Sequence, residues 1–390
     1  MAFGRHGGGW RATILASVLA LAGCEEPEPS NPPPPGPCVP TVGEVCTALG
    51  DGSRGNNGQD LDARGTWLFL PSAATLDPDG RVVVVDYNNL LLRRLDDDGV
   101  ARTVAGNGGH SYAIDGVDVL DCPLENPVDA DYGPDGSLYI NEQHGARILR
   151  ADLKGWLTVY AGSPDQPGYD CYTGDGGPAR SACMSQSSGV TVGDDGSVYV
   201  ADTGNNVIRV VYPDGTIDTL AGSGVATYQD GVGDGAALSH PWSMTFADGW
   251  LYVADRENSA IRRIDPATGE VTTVAGTGTR GYSGDGGPAV DAALSGPLGL
   301  DMGPDGALYV ADSENNVIRK IDVDGIITTV AGIPGEYPKD FAADGGDGGP
   351  PLEARFNWPN DVLVTPTGDV YVVDTFDDRV RVIPGLAAAD

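Results

Sequence analysis

The sequence repeats one pattern of short strand-like segments six times, and this repetition limits the chain to architectures built from copies of a single unit. The most regular segment reads Tyr-Val-Ala-Asp or a variant of it. Its six copies end at Asp86, Asn141, Asp202, Asp255, Asp312 and Asp374. One apolar run precedes each copy and two follow each of the first five copies, with Asp-Gly turns between runs. Such a unit predicts four short antiparallel strands.

The sixth unit lacks its fourth strand after residues 379–383, and a match for that strand stands near the N-terminus. Residues 43–50 (GEVCTALG) resemble residues 269–276 (GEVTTVAG), which form the fourth strand of another unit. We therefore expect an N-terminal strand to complete the last blade and close the ring, which removes exposed sheet edges. The predicted fold is all-β: a six-bladed β-propeller over residues 38–390, with four antiparallel strands per blade.

The segment before residue 38 predicts export and anchoring rather than part of the fold. Arg5 and Arg11 precede an apolar run that ends in Leu-Ala-Gly-Cys at residues 21–24. This apolar run is too short to span a bilayer, which takes about 20 apolar residues. Its end resembles the bacterial lipobox, which implies a signal peptide over 1–23, lipidation of Cys24 and a proline-rich linker over 24–37. We expect a membrane partner through this anchor, and a location in the bacterial envelope at the outer membrane or the cell surface.

Charge restricts the partners further. The chain has 56 acidic residues against 23 Lys and Arg, a formal net charge of −33. Such an acidic chain repels phosphate backbones, so we expect no nucleic-acid partner. Cationic partners and calcium remain compatible with this charge.

Two motifs carry a family resemblance. They are YVADxxNNVIR, at 199–209 and 309–319, and GDGGPA, at 174–179 and 284–289. Together they resemble the NHL-repeat family of six-bladed propellers, here in the form of a bacterial NHL-repeat lipoprotein. The second unit departs from the pattern: Asn141 replaces the aspartate, and no arginine follows seven residues later. The other five arginines are Arg93, Arg209, Arg262, Arg319 and Arg381. Blade 2 therefore has either a special role or a drifted sequence.

A second set of aspartates recurs in the loops that enter the blades. Calcium is the one cofactor that these carboxylates suggest. The calcium candidates are Asp175, Asp285 and Asp347. The alternative is that each carboxylate caps its own glycine turn through backbone N–H groups.

Function is expected where the repeats differ, near the mouth of the central channel. Asp129 and Asp361 stand where the family usually has glycine. With Trp242 and Asn360 they predict a small polar pocket with an aromatic edge. The alternative is a pair of solvated carboxylates at a wet channel mouth.

These features support two functions. The first is a binding or scaffolding module for a protein or polysaccharide partner, held through the loop-rich face, where tyrosines such as Tyr112, Tyr172 and Tyr282 suit a contact surface. The second is a metal-dependent hydrolase or lyase of the gluconolactonase-like or peptidyl-hydroxyglycine-lyase-like type, with its site at the channel mouth. No catalytic residue is assigned, because the lactonase pattern needs a glutamate at the mouth and none stands there. The histidines His110, His144 and His240 follow no metal-ligand spacing.

Apart from Cys24, five cysteines remain, an odd number for an oxidising compartment. Cys171 and Cys183 bracket one GDGGPA loop and are candidates for a disulfide. Cys46 has two alternative partners, Cys38 and Cys122. One thiol is then left unpaired or joins another chain.

Overall fold

The computed structural model describes residues 41–163, 171–337 and 345–389. The predicted signal peptide, Cys24, the linker and Cys38 lie outside these residues. The described chain forms six antiparallel sheets, so the six-bladed propeller predicted from the repeats is confirmed. Its only helices, within these ranges, are single 3-10 turns of three residues. None of these helices has the length and apolarity that a bilayer span requires.

Each blade runs outward from a first strand at the central channel, and the six first strands contact one another in ring order. The first strands are Pro71–Leu76, Pro127–Tyr132, Gly189–Val192, Pro241–Ala247, Leu300–Met302 and Pro359–Val364. The second strands are Val82–Asp86, Leu138–Glu142, Val198–Asp202, Trp250–Asp255, Leu308–Asp312 and Val370–Asp374. The third strands are Leu91–Leu95, Arg147–Ala151, Val207–Val211, Ala260–Ile264, Val317–Ile321 and Arg379–Ile383. The fourth strands are Val100–Ala105, Trp156–Ala161, Thr216–Ala221, Glu270–Ala275, Ile326–Ala331 and Cys46–Leu49.

The predicted strand count per blade is one too low for blades 1 to 5, whose sheets have five strands. The fifth strands are Leu61–Asp62, Val117–Asp118, Gly177–Pro178, Gly231–Val232 and Gly287–Pro288. Each belongs to the loop that enters the blade and pairs with the fourth strand. The extra pairing covers the outer edge of the sheet. The sequence did not reveal these strands, because two residues are too few to show an apolar alternation.

The ring closes as predicted. Cys46–Leu49 pairs antiparallel with Arg379–Ile383, with Cys46 opposite Val382 and Thr47 opposite Arg381. The sixth blade is therefore assembled from both ends of the described chain.

Apolar residues pack between neighbouring blades. The second strands are almost wholly buried, as Val-rich runs in the middle of a layered fold predict. One core cluster joins Leu92 of blade 1 to Ile140 of blade 2, and the same arrangement recurs around the ring. Loops from second to third strands, and from fourth strands to the next blade, lie on one face, which we call the loop face. The short Asp-Gly turns lie on the other, the turn face.

Two series of 3-10 turns shape the loop face. One series follows the second strands: Tyr87–Asn89, Thr203–Asn205, Arg256–Asn258, Ser313–Asn315 and Thr375–Asp377. The other lies in the loops that enter the blades: Ala63–Gly65, Ala179–Ser181, Gly233–Gly235, Ala289–Asp291 and Pro351–Glu353.

Candidate functional site

The repeated charges of the loop face form one buried ion-pair group per blade. In blade 5 the guanidinium of Arg319 lies 2.7 Å from Asp285 Oδ1 and 3.3 Å from Asp312 Oδ2. Arg319 and Asp312 are fully buried. A buried arginine needs such partners, because an unpaired buried charge is strongly destabilising. These residues therefore hold the blade together.

The three calcium candidates all belong to these groups. Asp175 pairs with Arg209, Asp285 with Arg319 and Asp347 with Arg381. Among the described residues, no group of three or more His, Cys, Asp or Glu side chains has the geometry to hold a metal ion. Calcium at these carboxylates stays a prediction, and the cation would have to share each carboxylate with a guanidinium.

Blade 2 keeps the ion pair with a glutamate in the register of the aspartate, which corrects the assignment of Asn141 as the replaced aspartate. Glu142, not Asn141, lies opposite Pro127, as Asp86 lies opposite Pro71 in blade 1. Glu142 Oε1 accepts the N–H of Glu125 at 2.8 Å, and its Oε2 pairs with Arg147, five residues later. The longer glutamate reaches an arginine that stands two positions earlier than in the other blades. The sequence pattern concealed this because a glutamate replaces the aspartate and its arginine stands two positions earlier.

The four residues predicted for the channel mouth do line one pocket: Asp129, Trp242, Asn360 and Asp361. This pocket has a volume of only about 10 Å³, room for about one water molecule. Asp129 Oδ2 accepts the N–H of Val190 at 2.9 Å. Asp361 Oδ2 accepts the N–H of Ala74 at the same distance. Side chains that are hydrogen-bonded to the next blade therefore occupy the mouth, which leaves no space for a substrate.

A second pair of channel aspartates, Asp131 and Asp301, was missed in the sequence. Each stands deeper in its first strand and accepts a backbone N–H from the next blade, from Val192 at 2.9 Å and Val364 at 2.8 Å. Both line a wider cavity of about 390 Å³ at the turn-face end of the channel. The alternation Asp129-Ala130-Asp131 was the available signal, since alternate residues of a strand point to one side.

Burial shifts the titration of all four channel carboxyls. It raises the pKa of Asp129 to about 7 and that of Asp301 to about 6. It also raises the pKa of Asp131, and with the charge of Asp129 it holds the pKa of Asp361 well above its usual range. The channel therefore carries less negative charge near neutral pH than its aspartates suggest.

Four tyrosines form a series on the loop face, which we call the tyrosine arc: Tyr112, Tyr172, Tyr228 and Tyr282. Each ring lies over the guanidinium of its own blade, with the Arg Cζ atom 4.8–5.1 Å from the ring centroid. Hydroxyl groups of the last three contact Thr219, Thr273 and Thr329 of the fourth strands. Despite these contacts, 38–46% of each tyrosine is exposed. Blades 2 to 5 therefore present one rigid, half-exposed aromatic ring apiece.

Two of the three histidines within the described residues approach one carboxylate in blade 2. His110 Nε2 lies 3.1 Å from Glu125 Oε1, and His144 Nδ1 lies 3.9 Å from the same atom. Burial lowers the pKa of His144. His240 stands apart, at the entry of the first strand of blade 4, and its N–H donates to Asn206.

The cysteines divide into bonded and free. Cys171 and Cys183 form a disulfide that clamps the loop entering blade 3. Cys46 is disulfide-bonded, whereas Cys122 is free and buried. The alternative pairing of Cys46 with Cys122 is therefore wrong. Cys122 lies beneath the loop entering blade 2, where its Sγ receives the N–H of Ile114 at 3.4 Å.

Six radial sheets around a narrow polar channel define the chain as a six-bladed β-propeller. A family model described as the teneurin NHL domain matches residues 109–212 and 268–339. This match supports the NHL-repeat propeller family that the motifs predicted.

Two relatives illustrate the extent of the match. The chain is 33% identical over 258 residues to the chloroplastic protein SUPPRESSOR OF QUENCHING 1 of Arabidopsis thaliana, covering 62% of this chain and 24% of that protein. It is 28% identical over 384 residues to teneurin-3 of Danio rerio, covering 87% of this chain and 13% of that protein. The chain thus spans about an eighth to a quarter of the length of these relatives.

Solved structures share the fold at low sequence identity. A protein of unknown function from Bacteroides thetaiotaomicron superposes with a TM-score of 0.63 at 18% identity, covering 87% of this chain and 75% of that one. A structure titled as an auxiliary nutrient binding protein from the same species gives 0.59 at 16%, with the same coverage. A structure titled as a streptogramin B lyase gives 0.52 at 17%, covering 83% and 95%.

Proposed function

We propose that this protein is a lipid-anchored, extracytoplasmic binding module that holds a polysaccharide against its loop face. The observation that carries the proposal is the tyrosine arc. Aromatic rings with one wet and one packed side are suited to recognition, because they offer contact area at a small loss of side-chain entropy. Each ring here is already fixed by its arginine and, in three blades, by a threonine.

The arc favours a repeating ligand over a compact one. It presents the same chemical group once per blade in four consecutive blades. Sugar rings stack their apolar C–H faces on aromatic rings, and a polysaccharide repeats that face along its length. The strong net negative charge favours a neutral or cationic glycan over an acidic one. A structural neighbour described as an auxiliary nutrient binding protein agrees with a binding role.

The hydrolase or lyase alternative has weaker support. Its predicted site at the channel mouth offers about 10 Å³, and the carboxyl oxygens of Asp129 and Asp361 are engaged by backbone donors of the next blade. A substrate there would have to separate strands that these bonds hold together.

Affinity electrophoresis in gels containing dextran, xylan or arabinogalactan tests the glycan proposal. At least one of these polymers is expected to retard the protein. The double variant Tyr172→Ala, Tyr282→Ala is expected to lose that retardation, with a Kd at least tenfold weaker. Tyr212→Ala is the matched control, because Tyr212 is a 39% exposed tyrosine beside a turn-face loop. Equal retardation of the double variant and the wild type would refute the arc as the site, and no retardation by any polymer would favour a protein partner.

The anchor has its own test. Bacteria expressing the chain are fed an alkyne-labelled fatty acid, and the protein is expected to take up the label and sediment with membranes. Cys24→Ala is expected to abolish both. A labelled or membrane-bound Cys24→Ala variant would contradict lipidation at this position. Outer-membrane or surface location is then read from protease accessibility of intact cells.

A further inference from the structure

Four blades place the same amide beside the buried aspartate of the second strand. The amide belongs to the last residue of the 3-10 turn that follows the strand. In blade 5, Asn315 Nδ2 donates to Asp312 Oδ2 at 2.8 Å. The equivalent donors in blades 1, 3 and 4 are Asn89, Asn205 and Asn258, at 2.8–3.0 Å. A donor at this position satisfies a carboxylate that is buried away from water.

Blade 6 has Asp377 in place of this asparagine. The local backbone is the same: Asp374 and Asp312 precede equivalent 3-10 turns with φ, ψ of −89°, 78° and −83°, 73°. Asp374 is fully buried and Asp377 is only 2% exposed. Two carboxyl groups therefore meet where the other blades join a carboxylate to an amide.

The hydrogen bonds of this pair are incomplete. Asn357 serves both Oδ1 atoms, through its N–H to Asp374 at 2.6 Å and its Nδ2 to Asp377 at 2.9 Å. Within the described residues, the Oδ2 atoms of Asp374 and Asp377 have no hydrogen-bond donor, and the guanidinium of Arg381 stands 3.6 Å from Asp374 Oδ2, beyond hydrogen-bond distance. A proton on one of these oxygens supplies the missing donor to the other.

The surrounding charges also require one more positive charge. Those facing the pair, or paired with its neighbours, are Arg54, Arg379, Arg381, Asp347 and Asp378. With the pair itself, four carboxyl groups face three guanidinium groups. The nearest further carboxylate, Asp86 of blade 1, is already paired with Arg93 at 2.8 Å. One proton makes the group electrically neutral.

We propose that Asp374 and Asp377 share one proton between their Oδ2 atoms, and that loss of this proton loosens the blade that closes the ring. Two adjacent buried carboxylates cannot both ionise without a large penalty. The pair joins the second strand of blade 6 to the turn before its third strand, and the third strand is the one that Cys46–Leu49 pairs with. Repulsion within the pair therefore acts on the closing strand.

The direction of the pH dependence follows from the environment. Burial, and then the charge of Asp377, raises the pKa of Asp374, and burial raises the pKa of Asp377. Groups with a raised folded-state pKa contribute stability in acid that is lost as the pH climbs from about 4, the ordinary aspartate pKa, to the raised one. In that window the opening constant of the closing strand rises by up to about tenfold per pH unit, since one proton is released on opening.

Hydrogen exchange of the full chain from pH 5 to pH 8 tests this inference. After correction for intrinsic exchange, protection of the amides of Cys46–Leu49 and Arg379–Ile383 is expected to fall steeply with pH in the wild type. Asp377→Asn restores the amide of the other blades, and the protection of these strands in the variant is expected to fall less with pH than in the wild type. An equal pH slope in the variant would overturn the proposal.

Two further measurements keep the test independent of how that variant folds. Asn315→Asp transfers the pair to blade 5 and is expected to make exchange in Val317–Ile321 more steeply pH-dependent than in the wild type. Infrared difference spectra of wild type against Asp377→Asn at pH 6 are expected to show a protonated carboxyl band. A blade 5 with the pH slope of the wild type, or a difference spectrum without that band, would each count against a shared proton.

Discussion

The carboxylate of Asp129 in blade 2 accepts the backbone N–H of Val190 in blade 3 at 2.9 Å. Asp361 makes the same bond from blade 6 to Ala74 of blade 1, and Asp131 and Asp301 repeat it one layer deeper. First strands have no sheet partner on their channel side, so their N–H groups need other acceptors. The channel aspartates supply these acceptors and join successive blades.

Removing one of these acceptors is expected to destabilise the protein. Asp129→Ala leaves the buried N–H of Val190 without its carboxylate, at a cost of about 1–3 kcal/mol in the free energy of unfolding. Denaturant titration measures the change. Asp194→Ala, on an exposed turn of blade 3, is the control and is expected to change stability by less than about 0.5 kcal/mol. Identical midpoints for Asp129→Ala and the wild type would contradict the inter-blade role.

The same residue predicts how stability depends on pH. Burial raises the pKa of Asp129 to about 7, so the folded state binds a proton that the unfolded state releases above about pH 4. Stability from this group is therefore present in acid and declines between about pH 4 and pH 7. Asp129→Asn is expected to narrow the difference in denaturation midpoint between pH 5 and pH 8. A difference as large as that of the wild type would mean that Asp129 titrates normally.

The ion-pair groups predict unequal effects for their members. Arg319→Ala leaves Asp312 buried and unpaired, and about 3–5 kcal/mol of stability is expected to be lost. Asp285 is 42% exposed at its side chain, so Asp285→Ala is expected to cost about 1 kcal/mol or less. Thermal unfolding of the two variants side by side makes the comparison. Equal losses of stability in the two variants would contradict this expectation, because they would show that the half-exposed Asp285 contributes as much as the buried Arg319.

The free thiol is expected to be inert in the folded protein. Cys122 is fully buried, and burial raises the pKa of its thiol, which reduces the reactive thiolate. Iodoacetamide is expected to label the peptide containing Cys122 only after denaturation, as read by mass spectrometry. Rapid labelling under native conditions would indicate that the loop containing Ile114, which lies over Cys122, opens readily. This burial also argues against Cys122 as a link to another chain.

Repetition explains why most of the fold was predictable. Six copies of one strand pattern determined the blades, and the match of residues 43–50 to 269–276 located the closing strand. The fifth strands escaped prediction, because a pair of residues such as Gly177–Pro178 has no periodicity of its own. Their pairing is imposed by the fourth strand of the same blade, which lies beside them only in the folded chain.

The candidate site was predicted less completely. Asp129, Trp242, Asn360 and Asp361 line one pocket, but binding there stays a prediction, and no sequence pattern reports how little space remains between them. Glu142 was missed because the acid is a glutamate and its arginine partner stands two positions earlier than in the other blades. The space left in the channel mouth and the arginine that Glu142 reaches both depend on distances in the folded chain, which a sequence motif does not contain.

The division of the sixth blade between the two ends of the chain has a consequence for biogenesis. Thr47 and Arg381 are paired, so this contact has a far larger sequence separation than any within blades 1 to 5. Loop-closure entropy makes such contacts slow to form, and a chain emerging from its N-terminus exposes Cys46–Leu49 until the last strand arrives. During that interval the unpaired edge is open to wrong partners. Completion of the ring therefore waits for Arg379–Ile383, and Cys46–Leu49 has no sheet partner until those residues have been synthesised.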